Sequence, residues 1–353
     1  MVDVNYFELG VGFVSVRGSL GGSVPVGKGC RRLRPARFVV RMGDSMMRRV
    51  GFIGLGIMGY PMARNLVNGS GRKLLVWNRD TEKSKQLVSE LVDDGEEKDP
   101  KVLVADSAKE VLESCDLTYA MLSTPEAVKA VYSEDMMSGI RPGSAFVDCA
   151  TLTEQISAET ASAVRARGGT FLEAPVSGSK VPAEKGQLIF LCAGDRSVFD
   201  AVVETDLAAM GKRSFFLGDV GGGTRMKLIV NQLMGTMLAS LGEAMTLTQA
   251  AGLDEDQLLE ILSLGAMENP MFSLKGPGMK TSSRSYPTNF PLEHAQKDMR
   301  FAQAMADSLN VSMPIASAAN EVYKAAKALG YSRDDFAAVI EASRAPFHKN
   351  PSQ

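Results

Sequence analysis

Histidine is almost missing from this chain. Of its 353 residues only His294 and His348 are histidines. That leaves few candidates for a Ser-His-Asp triad or for an imidazole acid polarised by a carboxylate. Cysteine is scarce too. Cys30, Cys115, Cys149 and Cys192 stand far apart; they form no C-x-x-C pair and match no metal-ligand spacing, so a reducing compartment and no metal site are expected. Net charge is nearly absent at −2. This gives no electrostatic footprint for nucleic acid, and no nucleic-acid-reading segment is expected ahead of the fold. Long apolar runs are also lacking. The uncharged stretch Leu228–Gly242 contains Asn231, Gln232 and Ser240 and falls short of the roughly 18 residues that would suggest a membrane span. What remains is an ordinary globular composition, 45% hydrophobic, long enough for two domains.

Residues 1–46 differ from the rest. Arg17, Lys28, Arg31, Arg32, Arg34, Arg37 and Arg41 face only Asp3, Glu8 and Asp44, among frequent Gly and Ser. This is the composition of an organelle transit peptide, a plastid being favoured over a mitochondrion. If the segment is only a basic tail, the chain stays in the cytosol.

From Arg49 the pattern becomes regular. A short apolar strand runs into Gly54-Leu55-Gly56-Ile57-Met58-Gly59, and a helical pattern follows (Met62, Ala63, Leu66, Val67). This is G-x-G-x-x-G in the context it requires, strand then turn then helix. Gly54 permits the turn, Gly56 lets a pyrophosphate approach the backbone, and Gly59 lets helix and strand pack closely. The phosphates would rest on the helix N-terminus. The next strand, Lys73–Trp77, ends in Asn78-Arg79. An NAD site usually carries Asp or Glu there. A carboxylate would repel a 2′-phosphate, whereas a guanidinium binds it bidentately, so NADP is expected over NAD.

Strands are then expected at Leu117–Leu122, Ser144–Asp148, Thr170–Glu173, Leu188–Ala193 and Ser214–Leu217, with helices at Thr81–Leu91 and Glu154–Arg167. Such alternation predicts a Rossmann-type, doubly wound parallel sheet over residues 47–222. Thr124, Thr151 and Ser177 fall on loops after its strands, which face the ligand crevice. From residue 223 to 347 the strands stop and an all-α domain is expected, joined by a long interdomain helix. Its helices are placed at Asp254–Ser263, Leu292–Ser308, Ile315–Ala328 and Asp334–Ser343. Ser282–Pro291 is the longest irregular piece. The joining helix follows Gly221-Gly222-Gly223 and is apolar on most sides, which predicts burial. Lys227 and Asn231, four residues apart, project from one face of it. Met226, Met234, Met237 and Met245 read as core filling, and His294, beside Glu293, as a helix-face histidine. A long apolar helix of this kind predicts self-association into a homodimer or homotetramer.

Taken together, the glycine loop with Pro61-Met62 and Asn65, then Ala174-Pro175-Val176-Ser177-Gly178-Ser179, then Gly221-x-Gly223 with Lys227 and Asn231, and finally Lys297-Asp298 resemble the β-hydroxyacid dehydrogenase family over residues 49–345. Gly265–Phe272, Lys275-Gly276-Pro277, Phe290-Pro291-Leu292 and Gln296–Arg300 are similar to the plant branch that reduces glyoxylate and succinic semialdehyde.

The resemblance implies an NADPH-dependent reductase of small carboxylate-bearing aldehydes, with Lys227 as general acid and Asn231 holding the same oxygen or its substrate. It implies that Ser177 and Gly178 bind the substrate carboxylate, that Thr151 lines the nicotinamide and substrate side, and that Phe290 and Asp298 close the pocket. Cofactor contacts would come from Gly54, Leu55, Gly56, Ile57, Met58, Asn78, Arg79, Leu122, Thr151 and Lys297. Met267 and Met271 would stand near the pocket. Ala150 replaces a frequent Ser, and Glu173 stands where many members have Asp; both bear on substrate preference. Neighbouring activities within the family are 3-hydroxyisobutyrate and tartronate semialdehyde dehydrogenation. A reading from another class is an inactive nucleotide-binding scaffold, which need not keep Lys227.

Overall fold

Short apolar runs bounded by Gly, Asn and Ser build one sheet. A computed structural model describes residues 49–91 and 100–348. The leader expected over 1–46 and most of the acidic stretch after Leu91 lie outside the described residues. The strands are β1 (Val50–Ile53), β2 (Leu74–Trp77), β3 (Val102–Val104), β4 (Leu117–Ala120), β5 (Ala145–Asp148), β6 (Thr170–Glu173), β7 (Val176–Ser177), β8 (Leu188–Gly194) and β9 (Gly211–Phe216). Every residue of β1, β4 and β5 is buried, as strands covered by helices on both faces must be. The first six run parallel in the order β3-β2-β1-β4-β5-β6. The order reverses between β1 and β4, and a crevice opens there beyond the strand ends.

The sheet is not parallel throughout, as the sequence had suggested. β8 runs antiparallel to both β6 and β7, and β9 then runs parallel to β8. Antiparallel partners tolerate a short link, here from Ser177 to Leu188, whereas parallel ones need a long crossover. Two residues of β7 carry no readable alternation, and β3 was likewise too short to anticipate.

After β9 the described chain is helical except for turns, short irregular links and one isolated bridge between Pro291 and Asp335. The central helix, Gly222–Ala250, is followed by Glu255–Leu264, Pro270–Met279, Leu292–Ser308, Pro314–Ala328 and Ile340–His348. Asp254 caps its helix as expected, its side chain accepting from the Asp256 N–H. Helix Pro270–Met279 was not anticipated, because Gly276, Pro277 and Gly278 are poor helix formers; it starts on an Asn269 cap with Pro270 in the first turn. The last helix begins later than expected. Asp335 caps a 3₁₀ turn, Phe336–Val339, that leads into it.

Apolar side chains fill both faces of the sheet. A separate cluster around Leu238, Met245, Met299, Tyr323 and Ile340 holds the helices together. Of the four methionines read as core filling, Met245 is buried and Met234 and Met237 pack against this cluster, but Met226 is exposed. The central helix is not buried all round. Ile229, Leu233 and Leu247 are 50%, 56% and 70% exposed, and Val230 also faces out. On its covered side, a Cβ at Gly235 would stand 2.7 Å from Met299 Sδ. The absence of a side chain there lets helix Leu292–Ser308 come close.

Candidate functional site

The glycine loop is shaped by contact. Gly54 has φ +94°, and a Cβ on it would meet the Met121 carbonyl at 2.4 Å. One on Gly59 would lie 1.9 Å from the Gly54 oxygen, whereas one on Gly56 would meet nothing within 4 Å. Gly54 and Gly59 therefore close the strand–helix turn, and Gly56 leaves open ground. Helix Gly59–Ser70 begins there with its N-terminus at the loop; in its first turn Pro61 has no N–H, and those of Tyr60 and Met62 donate to the Gly56 and Met58 carbonyls. Asn78 braces the loop from β2: its Oδ1 accepts from Leu55 N at 2.8 Å and its Nδ2 donates to the Asp80 carbonyl at 2.9 Å. The Leu55 side chain is fully buried in the core, so any cofactor contact from Leu55 falls to its backbone, and its N–H is already used.

A cavity of about 450 Å³ opens at the C-terminal ends of β1, β4 and β5. Gly54, Gly56, Ile57, Met58, Asn78 and Arg79 line one part of it, together with Lys83, in the first turn of helix Thr81–Leu91. Leu122, Thr151 and Gly178 line the middle, and Lys227, Asn231, Phe290 and Asp298 the far part. Ser177 is half-buried beside Gly178 but does not form the wall. Nor do Met267 and Met271. Met267 lines a second cavity under helix Glu255–Leu264, and Met271 packs on the helical core. Ala150 and Glu173 are buried away from the wall, so neither touches what the cavity holds.

Lys227 is only 5% exposed. Its Nζ donates to Asn231 Oδ1 at 2.9 Å, and Asn231 Nδ2 donates to Asp298 Oδ2 at 2.6 Å. Asn231 is thus committed to orienting the amine and is not free to hold an oxygen with both ends. Asp298 Oδ1 lies 3.3 Å from Lys297 Nζ, an ion-pair distance without hydrogen-bond geometry. Lys297 Nζ donates to the carbonyls of Thr151 (3.0 Å) and Ser123 (3.4 Å), tying the loops after β4 and β5 to helix Leu292–Ser308. Burial pushes the Lys227 ammonium down from its ordinary value to about 8; Asp298 opposes this and Lys297 adds to it.

Among the wall residues not singled out as site residues from the sequence are Lys83, Asn289 and His294. His294 faces the cavity, not open solvent, and its pKa is lowered by burial and then by Lys297. It stands three and four residues before Lys297 and Asp298, so helical phase alone puts it on their face.

This wall fits a dinucleotide. Bare ground lies over Gly56, a helix N-terminus adjoins it, and Arg79 and Lys83 supply cations at the end of β2, where a 2′-phosphate would sit. At the other end a buried amine stands beside a carboxamide and a carboxylate. A family model for the NAD binding domain of 6-phosphogluconate dehydrogenase matches residues 49–218. A second, for the NAD-binding domain of NADP-dependent 3-hydroxyisobutyrate dehydrogenase, matches residues 221–343. The chain is 47% identical over 298 residues to Arabidopsis thaliana glyoxylate/succinic semialdehyde reductase 2, chloroplastic, covering 84% of this chain and 79% of the relative. It is 48% identical over 295 residues to glyoxylate/succinic semialdehyde reductase 1 of the same plant, covering 83% and 97%. Among solved structures, a 3-hydroxyisobutyrate dehydrogenase from Salmonella typhimurium superposes with a TM-score of 0.73 at 26% identity, covering 83% of this chain and 99% of that one.

Proposed function

Given that the chain belongs to the β-hydroxyacid dehydrogenase family and is an NAD(P)-dependent oxidoreductase, we propose that it reduces small carboxylate-bearing aldehydes with NADPH. The substrates of this reading are glyoxylate, giving glycolate, and succinic semialdehyde, giving 4-hydroxybutyrate. NADPH, when bound, supplies the hydride. The chain's own residues do the rest. The carbonyl oxygen takes a proton from Lys227 Nζ as its carbon is reduced, leaving an alcohol and a neutral amine. An ammonium has three donors; one is spent on Asn231, and the others remain for the substrate oxygen and for reprotonation. Asn231 and Asp298 hold the amine in place. The backbone at Gly178 receives the substrate carboxylate with Ser177 behind it, Thr151 and Leu122 flank the nicotinamide, and Phe290 covers the pocket. Arg79, helped by Lys83, selects the 2′-phosphate.

The observation that carries this reading is the buried amine of Lys227 sharing a cavity with the glycine loop. General acid catalysis contributes roughly 100- to 10,000-fold. Lys227→Ala should therefore keep NADPH binding and lose turnover by at least about 100-fold; near-normal turnover would end the lysine mechanism. The same variant separates an enzyme from an inactive nucleotide-binding scaffold. The likeness to a 3-hydroxyisobutyrate dehydrogenase structure keeps 3-hydroxyisobutyrate and tartronate semialdehyde as competing substrates. Rates with glyoxylate, succinic semialdehyde and 3-hydroxyisobutyrate, each with both cofactors, decide between them.

Two wider features belong to the same proposal. Residues 223–347 act as a substrate and dimerisation domain, with the exposed Ile229, Val230 and Leu233 covered by a second copy in a homodimer or homotetramer; Leu233→Glu should shift the mass seen by light scattering to that of a monomer. Residues 1–46 act as a transit peptide for an organelle, a plastid before a mitochondrion, as the chloroplastic relative supports. Import of a fluorescent fusion of that segment tests this, and a cytosolic signal refutes it.

A further inference from the structure

We propose that Glu173 is a positioning residue for the proton donor: it fixes the first turn of the central helix and so sets where Lys227 stands. This rests on the reading of Lys227 as general acid. Glu173 closes β6 and is 1% exposed. Five donors converge on its carboxylate. Oε1 accepts from the backbone N–H groups of Gly221 (2.8 Å), Gly223 (2.7 Å) and, more weakly, Thr224 (3.4 Å). Oε2 accepts from the hydroxyls of Ser157 (2.6 Å) and Thr224 (2.8 Å).

Four of those five donors belong to residues 221–224, where the central helix starts. Three of the four are backbone N–H groups of the kind a helix leaves without an internal partner, the fourth is the Thr224 hydroxyl, and a negative charge complements the positive pole at that end. Thr224 is three residues before Lys227, so the two share a face of the helix. The three glycines now have a physical use. Gly221 sits at φ +99°, and Cβ atoms on Gly222 and Gly223 would approach the Leu217 and Leu191 carbonyls to 2.4 and 2.1 Å. Only a bare backbone can press this close to β8 and the residue after β9 and still turn its N–H groups onto one carboxylate. Arg225 pairs with Glu154 across the same junction and braces it from the surface.

The other side of Glu173 matters equally. It is followed directly by Ala174–Gly178, the segment through β7 proposed to receive the substrate carboxylate. One buried side chain thus joins the segment that holds the substrate to the helix that holds the acid. A misplacement of about 1 Å in such a constellation can cost about 100-fold in rate. Burial of Glu173 away from the cavity means that it works through Lys227 and not by contact with the reactants.

The test is a kinetic double-mutant cycle on the full chain with glyoxylate and NADPH. In Glu173→Ala we expect kcat to fall 10- to 100-fold, with the glyoxylate KM and the NADPH Kd within threefold of wild type. Added to Lys227→Ala, the same change should cost less than twofold, because the group it positions is already gone. Should Glu173→Ala fail to fold, Glu173→Gln serves instead. Its remaining oxygen still accepts from the N–H groups, its amide can meet hydroxyls turned to accept, and at least a threefold fall in kcat is expected that again vanishes beside Lys227→Ala. Equal losses in both lysine backgrounds, or an unchanged kcat, overturn the positioning role alone. Near-normal turnover in Lys227→Ala by itself overturns the general-acid reading and this inference with it.

Discussion

Removing the charge of Asp298 should move the pH at which reduction fails. Asp298 faces Lys227 through the carboxamide of Asn231, with contacts of 2.9 and 2.6 Å on either side. Charges held roughly 5–7 Å apart by one such bridge attract by about 2–3 kcal/mol at an effective dielectric of about 20. Each pKa unit corresponds to about 1.4 kcal/mol. Both groups are buried, so little of this is lost to solvent. Asp298→Asn keeps the shape of the bridge and removes the attraction, while Lys297 continues to push the ammonium down. The Lys227 pKa, about 8 in the native site, should therefore fall by one to two units. The sign follows from the chemistry: reduction needs the protonated amine, so the rate declines as pH rises through that pKa. The assay is kcat/KM for glyoxylate at saturating NADPH from pH 5.5 to 10. Burial and Lys297 lower the His294 pKa, away from this limb. A high-pH limb left in place by Asp298→Asn would refute the electrostatic link, and with it the placement of the proton on Lys227.

Two further outcomes are expected. Arg79→Ala should raise the KM for NADPH at least tenfold and that for NADH by less than twofold; equal effects on both would sink the 2′-phosphate assignment. Asp148, at the end of β5, is raised to about 7 by burial, against a backbone hydrogen bond from Ala150. Its Oδ2 has no hydrogen-bond donor of ordinary geometry. Between about pH 4 and 7 the folded chain thus holds a proton that the unfolded chain has released, and stability falls as pH rises through that window. A shift of about three units corresponds to about 4 kcal/mol at most. Asp148→Asn has no proton to lose, so its Tm should exceed that of wild type at pH 8, with the gap narrowing toward pH 4. A gap that ignores pH would show that burial of this charge does not limit stability.

How much of this was legible beforehand depends on range. The glycine loop could be read because its strand, turn and helix are contiguous, and Lys227 and Asn231 because helical spacing puts them together whatever surrounds them. The bond from Asn231 to Asp298 spans 67 positions, and no local pattern announces it. His294 was readable in principle from its spacing to Asp298, but a helix has several faces, and the sequence does not say which one meets the cavity. Asn78 was placed correctly at the end of β2, yet its side chain turns back onto the Leu55 N–H, a choice made by loop geometry. The open flank of the central helix misled for a different reason. Ile229 and Leu233 have the chemistry of a core, and composition does not distinguish a core from a surface awaiting cover.

The junction at Glu173 bears on recombination between homologues. The last strand ends at Phe216 and the central helix starts at Gly222, which makes the interval look like a natural crossover point for building chimeras. Yet the acceptor for the helix's opening residues comes from about fifty positions upstream. A parent with Asp in that place would reach one carbon–carbon bond less, about 1.5 Å, and would meet a helix shaped for the longer reach. Residues 173 and 221–224 form one heritable unit, and a splice between them should yield a folded hybrid whose amine is set at the wrong depth.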